Sequence, residues 1–332
     1  MLVSGRNTRI EINNPILNAE ERNDQTVKQK YKKLQVSDKS DNIVCLFLLL
    51  PFMALFTIFV LVPVVSSIVL SFFDYDMVST PIFCGLQNYM RMFTDDGVFL
   101  TVLGNTLKFA VVTGPISFLL AFLLAWLINE FPPFVRGLLA FLFYSPALVG
   151  NAYFIWQILF SGDSLGYANN ILTSLGLISE PIQWLKNEDY NTTIIIVVQL
   201  WMSMGVSFLA NIAGLQNVNT EMYEAGAIDG IRSRWQELWY ITLPSMKNIL
   251  LFGAVMQIQS VFSISAIITQ LAGYPSVNNS VDTLVSLIRD VGTMRYEMGY
   301  AATLSVFLFV IMALTRIVVG KLMNLLGKQD NG

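Results

Sequence analysis

Side chains that commonly do covalent chemistry are scarce in this sequence of 332 residues. It has no histidine and two cysteines, and 54% of its residues are hydrophobic against 13% charged. Gly320-Lys321 lacks both the earlier glycine and the following Ser or Thr of a phosphate-binding loop. The acidic residues are scattered in polar stretches, away from any nucleophile on an apolar segment. We therefore expect no catalytic residues, no metal site and no nucleotide site on this chain.

The polar side chains with the most regular spacing lie inside two long apolar runs. They recur every fourth residue in the first run and every third residue in the second, so each set follows one helix face. These two stripes are Gln199, Ser203, Ser207 and Asn211 in the first run, and Gln257, Ser260 and Ser263 in the second. Amides and hydroxyls donate and accept hydrogen bonds without carrying charge, which suits a neutral ligand rich in hydroxyl groups.

The stripes allow two interpretations. In lipid a polar side chain is costly unless it faces water or protein, so the stripes predict the lining of a translocation path. Tyr153, Trp156 and Trp201 would then supply apolar platforms for the rings of such a ligand. Ser and Gln also join neighbouring helices in membranes through hydrogen bonds, and the sequence leaves this alternative open.

A polar stretch from Asn219 to Pro244 separates the two runs and is called the 219–244 segment below. Asn219 or Thr220 can cap a first short helix. Gly230 interrupts that helix, and a second one ends near Pro244 because proline cannot continue a helix. The segment thus predicts two short helices joined by a glycine hinge at a membrane surface.

Six apolar runs are each long enough to cross a bilayer as a helix, which takes about 20 residues. They lie at about 43–72, 100–129, 137–160, 192–216, 249–272 and 299–325. The sequence therefore predicts an all-α integral membrane protein with a six-span domain over residues 42–328. A loop over residues 217–248 holds the 219–244 segment, and residues 1–41 are polar and rich in Lys, which predicts a cytoplasmic tail.

The distribution of Lys and Arg predicts the orientation in the membrane. With the N-terminus inside, the cytoplasmic segments hold fifteen Lys and Arg and the external loops hold four, while Lys108 lies within the second run. Both termini and the 219–244 segment are then cytoplasmic, on the side where ATP is available. The net charge of −3 gives no indication of nucleic-acid binding.

The 219–244 segment resembles the EAA loop of permease subunits of binding-protein-dependent ABC importers. The matching residues are Glu224-Ala225-Gly226, Asp229-Gly230 and Ile241-Thr242-Leu243-Pro244. Gly226 replaces the usual second Ala, and Ile231 stands where a small residue usually follows the Gly. Further matches to carbohydrate permeases follow in order along residues 45–325. They include Leu50-Pro51, Gly85-Leu86-Gln87-Asn88-Tyr89, Asn105-Thr106, Ala213-Gly214-Leu215-Gln216 and Gly299-Tyr300-Ala301-Ala302.

The resemblance implies the type I ABC importer permease fold, in the carbohydrate class of maltose and glycerol-phosphate permeases. In this family the loop is a coupling helix that docks on an ATP-binding subunit. The residues implied in coupling are Glu221, Tyr223, Glu224, Ala225, Gly226, Asp229, Gly230, Arg232, Arg234, Leu243 and Pro244.

The implied partners are a second, similar permease in a heterodimer, two ATP-binding subunits and an extracellular solute-binding protein. ATP and Mg²⁺ would be bound and used by the ATP-binding subunits, so this chain is not expected to be an enzyme or to hold a cofactor. The implied location is a bacterial or archaeal cell membrane, in contact with the lipid bilayer.

The chain is therefore predicted to form half of the translocation path of an ATP-driven importer for a sugar or oligosaccharide. A polyol, glycerol phosphate or another small solute is the alternative within the same class, although the spans offer almost no basic residues for a phosphate. A secondary transporter would need intramembrane carboxylates for ion coupling, and the six runs contain no Asp or Glu. A membrane enzyme or signalling subunit would need a reactive cluster in the spans.

Overall fold

The computed structural model describes residues 39–326, which form two compact units divided between Val65 and Ser66. Residues 1–38 of the predicted tail lie outside the described part, and residues 39–41 open the first helix. The described chain is mostly helical and includes one two-stranded ribbon. This is the helical architecture that the apolar composition predicts.

The first apolar run forms a helix with a widened turn in its middle. Helix α1 covers Lys39–Phe56, a π-helical turn covers Thr57–Leu61, and α2 covers Val62–Leu70. Pro63 follows the π-helical turn by two residues. A proline ring clashes with the carbonyl four residues earlier, and a wider turn at that point lets the helix continue.

A short ribbon and a short helix follow. Strands β1 (Phe73–Asp74) and β2 (Ile82–Phe83) pair antiparallel, with Phe73 opposite Phe83, and α3 covers Gln87–Thr94. Asn88 on α3 donates from Nδ2 to the carbonyls of Ser71 at 3.2 Å and Phe73 at 2.9 Å. This motif asparagine therefore fastens α3 to the ribbon.

The remaining helices complete the second unit. They are α4 (Phe99–Asn129), α5 (Pro133–Val149), α6 (Tyr153–Leu159), α7 (Tyr167–Ser174), α8 (Glu188–Met202), α9 (Val206–Gln216), α10 (Thr220–Ile228), α11 (Arg234–Glu237), α12 (Leu243–Ser245), α13 (Lys247–Phe262), α14 (Ser265–Leu271), α15 (Leu284–Arg289) and α16 (Met298–Leu326). Between them lie π-helical turns at Leu238–Thr242 and Asp290–Met294 and a 3-10 turn at Val277–Asn279.

Four helical segments of the described chain are long and apolar enough to cross a membrane: Val44–Leu70, Phe99–Asn129, Lys247–Leu271 and Met298–Met323. Their ends lie within a few residues of the predicted ones. The other two predicted spans are bent pairs, since α5 meets α6 at 88° and α8 meets α9 at 44°. Within residues 39–326 the count is four, or up to six if each bent pair is one span, so the number six stays a prediction.

Glycine permits the sharper of the two bends. Gly150 directly follows α5 and has a φ of +67°, a conformation that a residue with a Cβ rarely adopts. The chain then turns and restarts as α6 at Tyr153. The apolar run at 137–160 is continuous in composition, so hydropathy alone could not locate this break.

Helix α4 is the central packing element of the second unit. It packs against α8, α9, α13 and α15. Near its start, Phe99 and Val102 are buried in a cluster with Leu284 and Leu304. Near its end, Ala121, Phe122, Ala125 and Ile128 are buried in another cluster with residues of α9 and of the 219–244 segment. Movement of this helix would therefore reach most of the unit.

The Asn105-Thr106 pair joins α4 to the loop before α15. Asn105 Nδ2 donates to the carbonyls of Asn279 at 2.7 Å and Asp282 at 3.1 Å. Thr106 Oγ1 accepts a hydrogen bond from the backbone N–H of Leu284 at 2.9 Å. Together with Asn88, these residues show that several sequence motifs fasten loops to helices.

Candidate functional site

The first helix of the 219–244 segment begins as the sequence predicts. Asn219 caps α10, because its Oδ1 accepts from the backbone N–H of Glu221 at 3.0 Å. The helix ends at Ile228, and Gly230 has a φ of +95°. The backbone N–H of Ile231 then donates to the carbonyl of Gly226 at 2.9 Å, which closes the last turn.

The second helix is a composite of three short pieces. Ser233 and Gln236 form a capping box at the start of α11. The π-helical turn Leu238–Thr242 and then α12 follow without a break, and Pro244 lies two residues beyond the π-helical turn, as Pro63 does in the first run. The helical path ends at Ser245, one residue past the predicted position.

The two helices of the segment contact each other along one edge. Tyr223 Oη lies 2.9 Å from Thr242 Oγ1, a hydrogen bond between α10 and the π-helical turn. Gly226 is buried, and a Cβ at this position would lie 2.7 Å from Ile241 Cδ1 and 3.1 Å from Ile231 Cδ1. Two isoleucine side chains thus fill the space that a second alanine of the family pattern would use.

The opposite edge of α10 is exposed. Ile228 is 87% exposed, and the predicted coupling residues that share this exposure are Glu221, Glu224, Ala225, Asp229, Gly230 and Arg232. Tyr223 and Gly226 instead hold the segment together, Leu243 is half-buried and Pro244 is exposed. The segment therefore presents a short helix with acidic and apolar side chains on its free face.

Arg234 is engaged within the chain. Its guanidinium contacts Glu130 Oε2 at 2.9 Å and Glu237 Oε2 at 2.8 Å. The hydrogen bond to Glu237 and the charge of Glu130 raise the pKa of Arg234, because both favour the charged guanidinium. A cavity of about 390 Å³ lies beside these groups, and Asn129, Gln216 and Tyr223 contribute to its wall.

The two polar stripes meet each other between helices. Gln257 Nε2 on α13 donates to Ser207 Oγ at 2.7 Å and to the carbonyl of Ser203 at 3.3 Å. Gln199 Nε2 on α8 donates to the carbonyl and to the hydroxyl of Ser260, both at 3.2 Å. Of the seven stripe residues, Gln199, Ser203, Ser207, Asn211 and Gln257 are buried, Ser260 is half-buried and Ser263 is exposed.

These contacts are the ones expected if the stripes join helices. They do not test whether the stripes line a path, so that role stays a prediction. Asn211 is fully buried, and in the described chain neither polar atom of its side chain has a hydrogen-bond partner. On the exposed side of α13, Ser263 Oγ donates to the carbonyl of Gln259, whose own side chain is also exposed.

The predicted aromatic platforms lie together on α6 and α8. Trp156 and Trp201 contact edge to face with ring centroids 5.6 Å apart, and Trp156 stacks on Phe160 at 6.0 Å. Tyr153 is buried and donates from Oη to Asn151 Oδ1 at 2.8 Å. A separate cavity of about 350 Å³ next to α6 is lined by Phe154, Gln157, Ile158, Ser161, Asp163, Leu165 and Gly166.

Sequence reasoning missed two residues at the end of α4 that contact the 219–244 segment, Glu130 with Arg234 and Trp126 with Trp235. Glu130 is the residue directly after α4, and Trp126 lies one turn before it. The only sequence signal for Glu130 is a carboxylate at the end of a long apolar run. No periodicity connects it to Arg234, which is 104 residues further along the chain.

Comparisons with known proteins find similar chains of one kind. No model of a protein family matches the sequence. The lactose transport system permease protein LacF of Rhizobium radiobacter is 31% identical over 274 residues, covering 79% of this chain and 88% of that protein. The arabinooligosaccharides transport system permease protein AraP of Bacillus subtilis is 30% identical over 278 residues, covering 82% and 86%.

The chain belongs to the family of carbohydrate ABC transporter permeases. The permease fold also occurs in solved structures. A bacterial ABC transporter involved in the import of the acidic polysaccharide alginate has a chain with a TM-score of 0.70 and 21% identity, over 92% of this permease and 100% of that chain. The alginate transporter in complex with an alginate pentasaccharide-bound periplasmic protein gives a TM-score of 0.73 and 20% identity, over 87% and 96%.

These findings confirm the predicted family and fold class. This permease is a multi-pass membrane protein for carbohydrate import, and its relatives are transporter permease subunits rather than enzymes. The residue assignments within the permease stay predictions.

Proposed function

We propose that this permease forms half of the translocation path of an ATP-driven importer and docks on an ATP-binding subunit through the 219–244 segment. The observation that carries the proposal is the exposed edge of α10. Glu221, Glu224 and Ala225 lie on a helix whose other edge is held by Tyr223 and Gly226. A short helix that is fixed on one side and free on the other is suited to enter a groove on a partner protein.

The free face of α10 has the chemistry of a docking surface. Ile228 is an exposed apolar side chain, at 87% exposure, and Ala225 is exposed one turn before it. Glu221 and Glu224 add negative charge near the N-terminus of the helix, where its dipole favours carboxylates. An apolar contact surrounded by charged residues is typical of specific protein interfaces. We propose a matching groove with basic residues on the ATP-binding subunit.

The complete importer in this proposal contains this permease, a second and similar permease, two ATP-binding subunits and an extracellular binding protein. ATP and Mg²⁺ are bound by the ATP-binding subunits, which also hydrolyse the ATP. The N- and C-termini and the 219–244 segment are cytoplasmic, residues 1–41 form a cytoplasmic tail, and residues 42–328 form six spans. The Lys and Arg distribution supports this orientation.

The proposed cargo is a sugar or oligosaccharide. The relatives named for lactose and arabinooligosaccharides support a neutral carbohydrate. The stripe residues and the aromatic pair Trp156 and Trp201 are proposed to border the path. Gln259 on α13 and Ser263 directly after that helix are both exposed, and their amide and hydroxyl groups are well placed to meet hydroxyl groups of a sugar.

The proposal is tested by purifying the tagged permease from its native membranes and identifying the proteins that accompany it. Wild type is expected to bring an ATP-binding subunit and a second permease. Glu224→Lys reverses the charge on the free edge of α10 and is expected to lose the ATP-binding subunit. The control is Glu180→Lys, which makes the same charge change on an exposed residue outside the segment. Wild type that purifies without an ATP-binding subunit would contradict the proposal.

A further inference from the structure

The two helices of the 219–244 segment are anchored unequally. On α10 the only buried residue is Gly226. The π-helical turn Leu238–Thr242 has three buried residues, Leu238, Ile241 and Thr242. The contacts of α10 with this turn include the hydrogen bond between Tyr223 and Thr242 and the packing of Gly226 against Ile241. A displacement of α10 is therefore passed to the π-helical turn.

The second helix of the segment is attached to the end of α4 by three kinds of contact. Arg234 forms an ion pair with Glu130 Oε2 at 2.9 Å. The ring of Trp235 lies 5.3 Å from that of Trp126, centroid to centroid, with a tilt of 49°. Leu238 is buried in the hydrophobic cluster that includes Ala125 and Ile128 of α4. These residues span the last turn of α4 and the residue that follows it.

Arg234 has a particular place among these contacts because it joins two carboxylates. One guanidinium nitrogen contacts Glu237 within α11, and the other contacts Glu130 at the end of α4. A planar guanidinium can hold two carboxylates in fixed directions, which a lysine ammonium does less well. The ion pairs are partly exposed, so their contribution to stability is small. Their geometry nevertheless sets where α11 sits against α4.

We propose that Arg234 is a positioning residue that links the 219–244 segment to α4 through Glu130, so that movement of the docked segment reaches α4 directly. This inference rests on the proposed function, because it assumes that the segment docks on an ATP-binding subunit. The chain also connects the segment to α9 and α13, at its two ends. The link to α4 is a third route, and it leads to the helix that packs against α8, α9, α13 and α15.

The main experiment uses the complete importer in proteoliposomes. ATP hydrolysis is measured with and without sugar-loaded binding protein, and sugar uptake is measured in parallel. Arg234→Glu is expected to lower uptake and the stimulated ATPase rate at least fivefold. Glu130→Gln, which removes the same ion pair from outside the 219–244 segment, is expected to lower both while the ATP-binding subunits still co-purify and the unstimulated rate stays within twofold. Glu130→Arg combined with Arg234→Glu is expected to restore at least half of the lost stimulation. Arg316→Glu, an exposed position on α16, is the charge control.

The outcomes separate this inference from the proposed function. In one outcome the wild-type importer assembles and transports, and sugar-loaded binding protein stimulates ATP hydrolysis in Arg234→Glu as much as in wild type. The link to α4 is then refuted and the docking proposal survives. If the wild-type permease does not assemble with an ATP-binding subunit, the proposed function itself fails. If Arg234→Glu does not fold, Glu130→Gln alone tests the link, because it removes the same ion pair with little change in shape. It is expected to lower uptake and the stimulated ATPase rate.

A covalent link provides a second, independent test. Glu130→Cys and Arg234→Cys are combined in a background in which Cys45 and Cys84 are replaced by Ser. The double variant is expected to lose stimulation, and a short bifunctional thiol reagent is expected to restore it, because the link replaces the ion pair. Each single cysteine treated with the reagent is the control. Failure of the link to restore stimulation, after cross-linking is verified by mass spectrometry, would overturn the positioning role.

Discussion

Gly226 and Ile231 are the two positions at which the 219–244 segment departs from the family pattern, and the structure places them side by side. Ile231 Cδ1 and Ile241 Cδ1 occupy the space next to Gly226, where a Cβ would approach them at 3.1 and 2.7 Å. The larger residue at 231 thus accompanies the smaller residue at 226. In sequence the two departures looked unrelated, because the contact forms only when Gly230 reverses the chain.

This contact predicts non-additive effects on stability. Gly226→Ala gains helix propensity of about 1 kcal/mol but introduces the close contact. Ile231→Ala removes one of the two side chains involved, so Gly226→Ala should be more favourable in that background, by about 0.5 kcal/mol or more. The melting temperatures of the wild-type importer, the two single variants and the double variant measure this difference. Strictly additive shifts would show that the two sites are independent.

At the scale of elements, α8, α9 and α13 are joined by the polar stripes. Periodicity places Gln199, Ser203 and Ser207 on one helix face, and all three are buried with Gln257 at the contact between these helices. Periodicity could not identify the partner of each face, because a polar stripe has the same residue spacing whether it contacts a helix or a ligand. The bend after α5 and the ion pair from Arg234 to Glu130 were also beyond sequence reasoning, since they depend on tertiary contacts.

Gln257 distinguishes the two interpretations of the stripes. Gln257→Leu leaves the hydroxyl of Ser207 without its 2.7 Å hydrogen bond. If the stripe joins helices, the free energy of unfolding should fall by roughly 0.6 to 1.7 kcal/mol, as for other hydrogen bonds between membrane helices. The melting temperature would drop while the KM for sugar uptake stays unchanged. Ser263→Ala, on the exposed side of α13, is the control and should leave the melting temperature unchanged.

The opposite pattern would favour a path-lining role. If Gln257→Leu raises KM severalfold with no change in melting temperature, this residue contacts the sugar. The same pair of measurements on Ser263→Ala then shows whether the exposed side of α13 also borders the path. Both variants are compared in the same reconstituted importer.

At the scale of the whole molecule, length and hydropathy predicted the helical class and the ends of the long helices. Those features depend on the thickness of the bilayer and on local composition, which a sequence contains directly. The orientation rests on Lys and Arg counts and is open to a direct test. Leu165 is 82% exposed and lies between the third and fourth apolar runs, in a loop that the Lys and Arg distribution predicts to be external. Ile228 is 87% exposed in the 219–244 segment.

These two positions predict a labelling pattern in intact cells. In a background with Cys45 and Cys84 replaced by Ser, a membrane-impermeant maleimide should label Leu165→Cys from outside. Ile228→Cys should react only after the membrane is opened, because the 219–244 segment is predicted to be cytoplasmic. Labelling of Ile228→Cys in sealed cells would reverse the proposed orientation and remove the segment from the ATP-containing side.

The most direct test of the account is sugar uptake by proteoliposomes that contain the complete importer. We predict uptake of a labelled oligosaccharide that requires both ATP and the sugar-loaded binding protein. Uptake should persist when ion gradients are collapsed by an ionophore and should be lost in Glu224→Lys. Uptake that follows an ion gradient in the absence of ATP would contradict the account.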